Sequence, residues 1–459
     1  MTMSSMGRIR SEEFMERFDG FLSKYIPPRE KWLPPDEALY GVRDLYRVEP
    51  EEAGRLRFKA IKYTFKHHYE KNRFFNKLCK EKGVSPDEIK KEEDFLKIPL
   101  LPDKFFKDYP EGKGFAIWIA NIYTGDLPNI FIRKRNPGID DIIDAFNEKG
   151  LSISYSSGTS GRLTFIPRDK RTLDRAVYCG AKGFACMTYP KWDPDKIYGF
   201  LSFYARNTNM FAGVLMGMLS SVLKHLEYGI LLDRRVTAGM LQTAMMRKRS
   251  IIVRGASLYM DLKARRRFMG WLKERDRRGD DVIIFGAPFF LNHIMDLLDR
   301  KGLYFDFGEG SFAVTGGGWK IREDIRITMR RFREKVEKVF GIPQTNCIDV
   351  YGMVEGNGFM VHCPEGHYLH IPYSCYYPIV LDKNGEPVSY GEKGRFAFLD
   401  PLATSYPGFI ISGDEVRLLE HCPVCDRPGP VLEPEIERAR GEEVRGCAEE
   451  MRRMLGYGD

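Results

Sequence analysis

A loop made only of serine, threonine and glycine constrains this chain more than any other stretch. Residues 151–161 read Leu-Ser-Ile-Ser-Tyr-Ser-Ser-Gly-Thr-Ser-Gly. An alternating, strand-like run ending at Tyr155 therefore opens into Ser156, Ser157, Gly158, Thr159, Ser160 and Gly161. Side chains this small let backbone N–H groups approach an anion, and the hydroxyls add further donors, so the loop can cradle phosphates. The same composition also suits a flexible turn. No Gly-Lys-Ser/Thr follows, which disfavours a P-loop NTPase. A strand feeding such a loop, with a helix plausible from Arg171, points to an α/β fold.

The chain has 459 residues, enough for two or three domains or one large one with additions. With 43% hydrophobic and 30% charged residues it can bury a substantial core, which excludes a disordered or fibrous chain. The net charge of +8 is mild at this length and suits a polyanionic small ligand without demanding nucleic acid or a membrane. The most apolar stretch, 207–223, contains polar residues and two glycines and reads as a buried helix rather than a span. The first residues have no apolar core of a secretory signal. Nine cysteines, without an extracellular framework spacing, suggest a reducing, cytoplasmic location.

The texture changes along the chain. Residues 1–110 are charged and helical in period, with examples at Arg10–Lys24 and Pro50–Tyr69, and are expected to pack on the core. From 111 to 345 short apolar runs (Ile197–Phe203, Val282–Phe285, Phe312–Val314) alternate with helical segments (Leu258–Arg277, Arg322–Phe340), the mark of an α/β core. Residues 346–432 are β-rich, and Asn384-Gly385 predicts a hairpin with a type I′ turn. Residues 433–459 form a short charged tail, helical near its end. Basic clusters such as Arg265–Arg267, Arg275–Arg278 and Arg330–Arg333 read as solvated helix faces.

Three further segments follow the loop in a fixed order: Thr315-Gly316-Gly317-Gly318-Trp319, then Tyr351-Gly352-Met353-Val354-Glu355, then Ser412-Gly413-Asp414. The set resembles the adenylate-forming superfamily, the acyl-CoA and aryl-CoA ligases and their relatives. That resemblance implies a large α/β adenylate-forming domain with mixed sheets, a helical N-terminal region and a truncated C-terminal segment. It also implies roles. Ser156, Ser157, Thr159 and Ser160 would hold the β- and γ-phosphates of ATP, and the backbone at Gly316–Gly318 would line the adenine, with Tyr351 over its face. Glu355 would hold Mg²⁺, and Asp414 would accept from the ribose hydroxyls. Two positions depart from the pattern. The lysine that usually ends the loop is absent, leaving Arg162, Arg168 or Lys170 as replacements, and Val354 stands where a threonine is usual.

Only 45 residues follow Asp414, and no lysine occurs after Lys393, so the mobile C-terminal domain of most superfamily members is not expected. The segment from His421 to Cys447, with His367-Tyr-Leu-His370 and Phe285-Gly-Ala-Pro-Phe289 upstream, resembles the acyl-protein synthetase (LuxE) branch, which is related to phenylacetate-CoA ligases. The resemblance implies that an adenylated acid passes to a cysteine near the C-terminus, here Cys447. Arg445 and the helical run Ala448–Leu455 could favour the thiolate, while Glu449 and Glu450 oppose it. Arg438 matches an arginine used near the ribose, with Glu437 in place of the usual glycine.

Cys422-x-x-Cys425 is half of a metal knuckle. Cys363 and His370 are the expected other half of a structural Zn²⁺ site, with His362, His367 and His421 as competing donors; unmetallated or redox cysteines are the alternative. Cys347 and Cys375 read as core. The acyl pocket is expected among Phe200–Phe211 and Gly286–Phe290, with Gly316 at its floor.

The chain is thus expected to activate a carboxylic acid with ATP and Mg²⁺ and to discharge it onto a thiol, its own Cys447 and then a partner protein. Acid–CoA ligation, amide formation and, remotely, zinc-stabilised nucleic-acid binding are the alternatives.

Overall fold

The structure, a computed structural model, describes residues 3–156, 162–193, 198–205, 208–220, 226–232, 235–246, 266–319 and 326–439. The strands in chain order are β1 (Leu101–Pro102), β2 (Ser152–Tyr155), β3 (Phe165–Arg168), β4 (Tyr198–Ala205), β5 (Leu226–Leu232), β6 (Val282–Gly286), β7 (Phe312–Gly316), β8 (Cys347–Tyr351), β9 (Met360–His362), β10 (Leu369–His370), β11 (Tyr377–Leu381), β12 (Lys393–Leu399), β13 (Phe409–Leu419), β14 (Val431–Leu432) and β15 (Glu437–Arg438). β2 and β3 form a separate hairpin, and the rest join one sheet through the path β11-β12-β13-β14-β10-β9-β8-β7-β6-β4-β5. β5, β4, β6, β7 and β8 run parallel, and from β9 onward the neighbours along the path are antiparallel.

The parallel half follows from the sequence. Val282–Ile284 and Phe312–Val314 are short apolar runs buried on both faces, as strands covered by helices on each side must be. One covering helix is Met329–Phe340, capped by the Thr328 hydroxyl accepting from the Arg331 amide and stopped by Gly341 at φ 64°. A side chain at Gly341 would press into Asp306 Cα at 2.6 Å, so this position needs glycine for two reasons. That helix is described from Met329, after the Thr328 cap, and residues 322–325 of the span read from the sequence lie outside the described residues.

The N-terminal helical region is joined to the core by buried ion pairs. Asp36 and Arg175 are both fully buried at 2.7 Å, and Arg175 also donates to Thr404 Oγ1 at 2.9 Å and the Leu402 carbonyl. Lys182, fully buried, pairs with Asp19 of the first helix at 2.5 Å. Such pairs contribute little net stability but penalise any packing that separates them.

Residues 211–220 are helical within the apolar stretch, with Phe211 and Leu215 buried. No helix among the described residues is long and apolar enough to cross a membrane. The Asn384-Gly385 turn differs from the type I′ expectation. Only Gly385 has positive φ (86°), because the Asp382 carboxylate accepts from the Asn384 and Glu386 amides and holds the preceding turn right-handed. The basic clusters are partly neutralised locally: Arg275 and Arg278 pair with Asp280, Arg277 with Glu274, and Arg330 with Glu334.

Candidate active site

The parallel strands β6, β7 and β8 all end at one side of the sheet, where ligands of open α/β sheets bind. A cavity opens there. Pro288 after β6, Gly317, Gly318 and Trp319 after β7, and Tyr351 through Glu355 at the end of β8 line it. Ser156 and Thr164 close it from the β2–β3 hairpin, and Ser412, Gly413, Asp414 and Arg438 close it from β13 and β15. Segments as distant as Ser156 and Asp414 thus line one cavity. Gly316 ends β7 under Val350 rather than in that wall; the open turn after it is made by Gly317 and Gly318 at φ 82° and 64°.

Ser157, Gly158, Thr159, Ser160 and Gly161 lie outside the described residues. The loop's base is defined: the Ser156 amide donates to the Thr164 carbonyl at 3.2 Å, and the Thr164 amide donates to Ser156 Oγ at 3.0 Å. The chain returns as β3 before the helix Lys170–Thr188 starts, with Asp169 as its cap. Among the described residues, no helix therefore begins between Arg162 and Asp169.

On the opposite wall the Tyr351 hydroxyl donates to Asp414 Oδ2 at 2.8 Å, and Arg438 Nη1 stands 3.1 Å from Asp414 Oδ1. Burial and then the adjacent Asp414 charge hold the Tyr351 phenol well above its usual range, so it stays a donor. The pairing Asp414↔Arg438, with the Ala439 amide on the Gly413 carbonyl, fixes residues 437–439 along the cavity rim. Cys447 lies outside the described residues.

Glu355 is 5% exposed at the cavity edge. Burial pushes its carboxyl up; the nearby Lys107 charge opposes this and Asp103 adds to it. Its loop is braced from below by Arg168. The guanidinium is fully buried, donating to the carbonyls of Val354 (2.5 Å) and Gly356 (3.1 Å) and to Asn357 Oδ1 (2.9 Å), 4.0 Å over the Phe211 ring. Arg168 is therefore spent on structure and does not replace the missing loop lysine. Nor do the other two candidates line the cavity. Lys170 pairs with Asp174 on its own helix, and Arg162 lies over the Tyr109 ring with Asp108 at 3.4 Å. Phe211, expected near an acyl pocket, is core beneath Arg168.

Asp103, Lys107 and Asp349 also line the cavity and belong to no motif read from the sequence. Asp349 is half-buried, and its carboxyl is pushed up to about 6 by desolvation, against the Thr315 hydroxyl that donates to it at 2.5 Å. Only its position two residues before Tyr351 could have drawn attention to it. Asp103 and Lys107 sit on a single 3₁₀ turn and read as ordinary surface charges.

A second cluster lies at the far end of the antiparallel half. Cys363 follows β9, His370 is on β10, and Cys422 and Cys425 sit in the turn between β13 and β14. Because β10 pairs with both β9 and β14, one ligand atom from each of the four lies within 4.8 Å of the others, with Cys425 Sγ 3.3 Å from His370 Nε2. The spacing and the soft S₃N donor set fit one tetrahedral ion. His362, His367 and His421 do not join this group. Cys347 and Cys375 are buried in the core clusters.

The chain resembles known proteins at this level of detail. The family described as acyl-protein synthetase, LuxE, matches residues 237–456. A long-chain-fatty-acid–luciferin-component ligase of Vibrio harveyi is 22% identical over 403 residues, 87% of this chain and 88% of that protein. Its namesake from Aliivibrio fischeri is 22% identical over 417 residues, 88% and 90%. Among solved structures, 2-hydroxyisobutyryl-CoA ligase in an open conformation superposes with a TM-score of 0.59 at 15% identity, over 92% of this chain and 83% of that one. This shows a common fold with an adenylate-forming ligase.

Proposed function

From a chain related to the acyl-protein synthetases (LuxE) and folded as an adenylate-forming ligase, we propose that this enzyme activates a fatty acid with ATP and transfers the acyl group to a thiol. The observation that carries the reading is the convergence of Ser156, Gly317, Gly318, Tyr351, Glu355 and Asp414 on one cavity at the ends of parallel strands. The carboxylate oxygen attacks the α-phosphorus, the bond to the β-phosphate oxygen breaks, and pyrophosphate leaves with the electron pair. The thiolate sulfur then attacks the acyl carbon, and AMP leaves.

In this reading the Ser/Thr/Gly loop cradles the outer phosphates, while the turn at Gly317–Gly318 and the Tyr351 ring flank the base. Asp414 exchanges its bonds from Tyr351 and Arg438 for the ribose hydroxyls. Glu355 holds Mg²⁺, which offsets charge on the departing pyrophosphate. Cys447 is the first thiol acceptor and a partner protein the second. The eight residues after Ala439, through Cys447, span at most about 28 Å, so the thiol has the reach to enter the cavity from the rim. The family description, acyl-protein synthetase, favours a protein acceptor over CoA.

The test is pyrophosphate release by the full chain with ATP and Mg²⁺, without CoA, over fatty acids of increasing length. Acid-dependent release is expected, strongest for long chains; folded protein silent towards every fatty, aryl and amino acid would remove the reading.

Cys363, His370, Cys422 and Cys425 are proposed to hold one structural Zn²⁺, stapling β10 to the β13–β14 turn away from the cavity. Protein purified without added metal should contain about one zinc per chain by mass spectrometry. Cys422→Ser should lose it and be several kcal/mol less stable, while ATP affinity below the melting transition stays unchanged. Zinc-free protein that neither takes up the ion nor gains stability from it would contradict the assignment.

A further inference from the structure

We propose that Lys107 is the cation that meets the phosphate chain of the nucleotide, a part the Ser/Thr/Gly loop does not supply. This deepens the adenylation reading and rests on it. A triphosphate held only by amides and hydroxyls lacks the point charge that a lysine gives. The basic groups that follow the loop are used elsewhere: Arg168 beneath the Glu355 turn, Lys170 on Asp174 and Arg162 on Asp108.

Lys107 comes from another part of the chain. β1 runs parallel to β13 with Leu101 opposite Ile410 and Pro102 opposite Ile411, which lays the turn Asp103–Lys107 beside Ser412, Gly413 and Asp414. A Cβ placed on Gly413 would stand 3.3 Å from Asp103 Oδ2 and 2.8 Å from Arg438 Nη1, so glycine there makes room for these charged groups. The Lys107 ammonium pairs with Asp103, is 19% exposed, and lines the cavity together with Ser156, Thr164 and Glu355. Among the described residues the other basic groups in that wall are Arg438, held to Asp414, and Arg326, 3.8 Å from Glu435. Lys107 thus shares the cavity with Glu355, the proposed Mg²⁺ ligand. A flexible four-carbon stem lets it turn from Asp103 to a phosphate oxygen, where it offsets the charge that moves to pyrophosphate as the bond to the α-phosphorus breaks.

The test is calorimetry on the full chain with Mg²⁺, using α,β-methylene-ATP and adenosine as probes. Lys107→Gln should weaken the triphosphate by at least about tenfold, the value of one charge-assisted contact, and leave adenosine within about twofold; Lys107→Arg should recover most of the loss. Because the glutamine leaves Asp103 without its cation, Asp103→Asn/Lys107→Gln repeats the measurement with both charges removed and should give the same split. Equal weakening of both probes, or triphosphate affinity unchanged, overturns the role of Lys107 while leaving adenylation intact. A wild-type protein that binds neither probe overturns both.

Discussion

Glu355→Gln is expected to lower acid-dependent pyrophosphate release by about 10²–10³-fold, the usual consequence of removing a group that stabilises transition-state charge. The substitution keeps the side chain's shape and leaves the backbone that Arg168 and Tyr406 hold: the Tyr406 hydroxyl donates to the Glu355 carbonyl at 2.8 Å. What it removes is the negative charge that hard Mg²⁺ prefers. The stability effect should run the other way. Burial raises the Glu355 pKa, so the ionised form is disfavoured in the folded state and detracts from stability once the pH exceeds the ordinary glutamate range. Glutamine lifts that cost, and the melting temperature should equal or exceed that of the native protein. Loss of activity with retained or higher stability would separate a catalytic carboxylate from a structural one. Release within tenfold of the wild type at saturating Mg²⁺ would dismiss the assigned role.

The second large effect concerns the acceptor. After incubation with ATP, Mg²⁺ and the active acid, intact-mass measurement of the native protein should show one acyl adduct that hydroxylamine removes, as a thioester requires. Cys447→Ala should show none, while acid-dependent ATP–pyrophosphate exchange continues at a near-normal rate, because the thiol enters only after the acyl-adenylate has formed. That split is the diagnostic. Four of the described thiols are poor rivals: Cys79 and Cys347 are buried with their pKa pushed up to about 12, burial raises the Cys186 thiol well above its usual range, and the neighbouring Cys179 and burial do the same to Cys375. An adduct that persists in Cys447→Ala, or one absent from wild type that instead consumes CoA, would move the acceptor elsewhere.

Much of the cavity lining was legible in the sequence, because its segments are written in residues that few other needs explain. Gly317 and Gly318 adopt positive φ, and Glu355 and Asp414 each follow a glycine-bearing run at the end of a strand or inside one. The four metal donors were also legible as types, since thiols spaced as Cys422-x-x-Cys425 suit one ion. The sequence favoured His370 but left His362, His367 and His421 as competitors. That choice depended on β10 lying between β9 and β14, which turns His370 toward the cysteines.

Charged residues were the least legible, for a physical reason. A lysine or arginine carries the same charge wherever it stands, and its role is set by what the fold places opposite it. Arg168 follows the loop and looked like a phosphate ligand, yet β3 turns it inward to hold backbone carbonyls. Lys107 belongs to no motif in the sequence, yet the pairing of β1 with β13 sets it in the cavity wall. The sequence by itself determined the kind of chemistry, through small-residue loops and clustered ligand types that act over a few neighbouring positions. Tertiary structure alone decided which cations serve that chemistry, because the contacts that assign them join strands hundreds of residues apart.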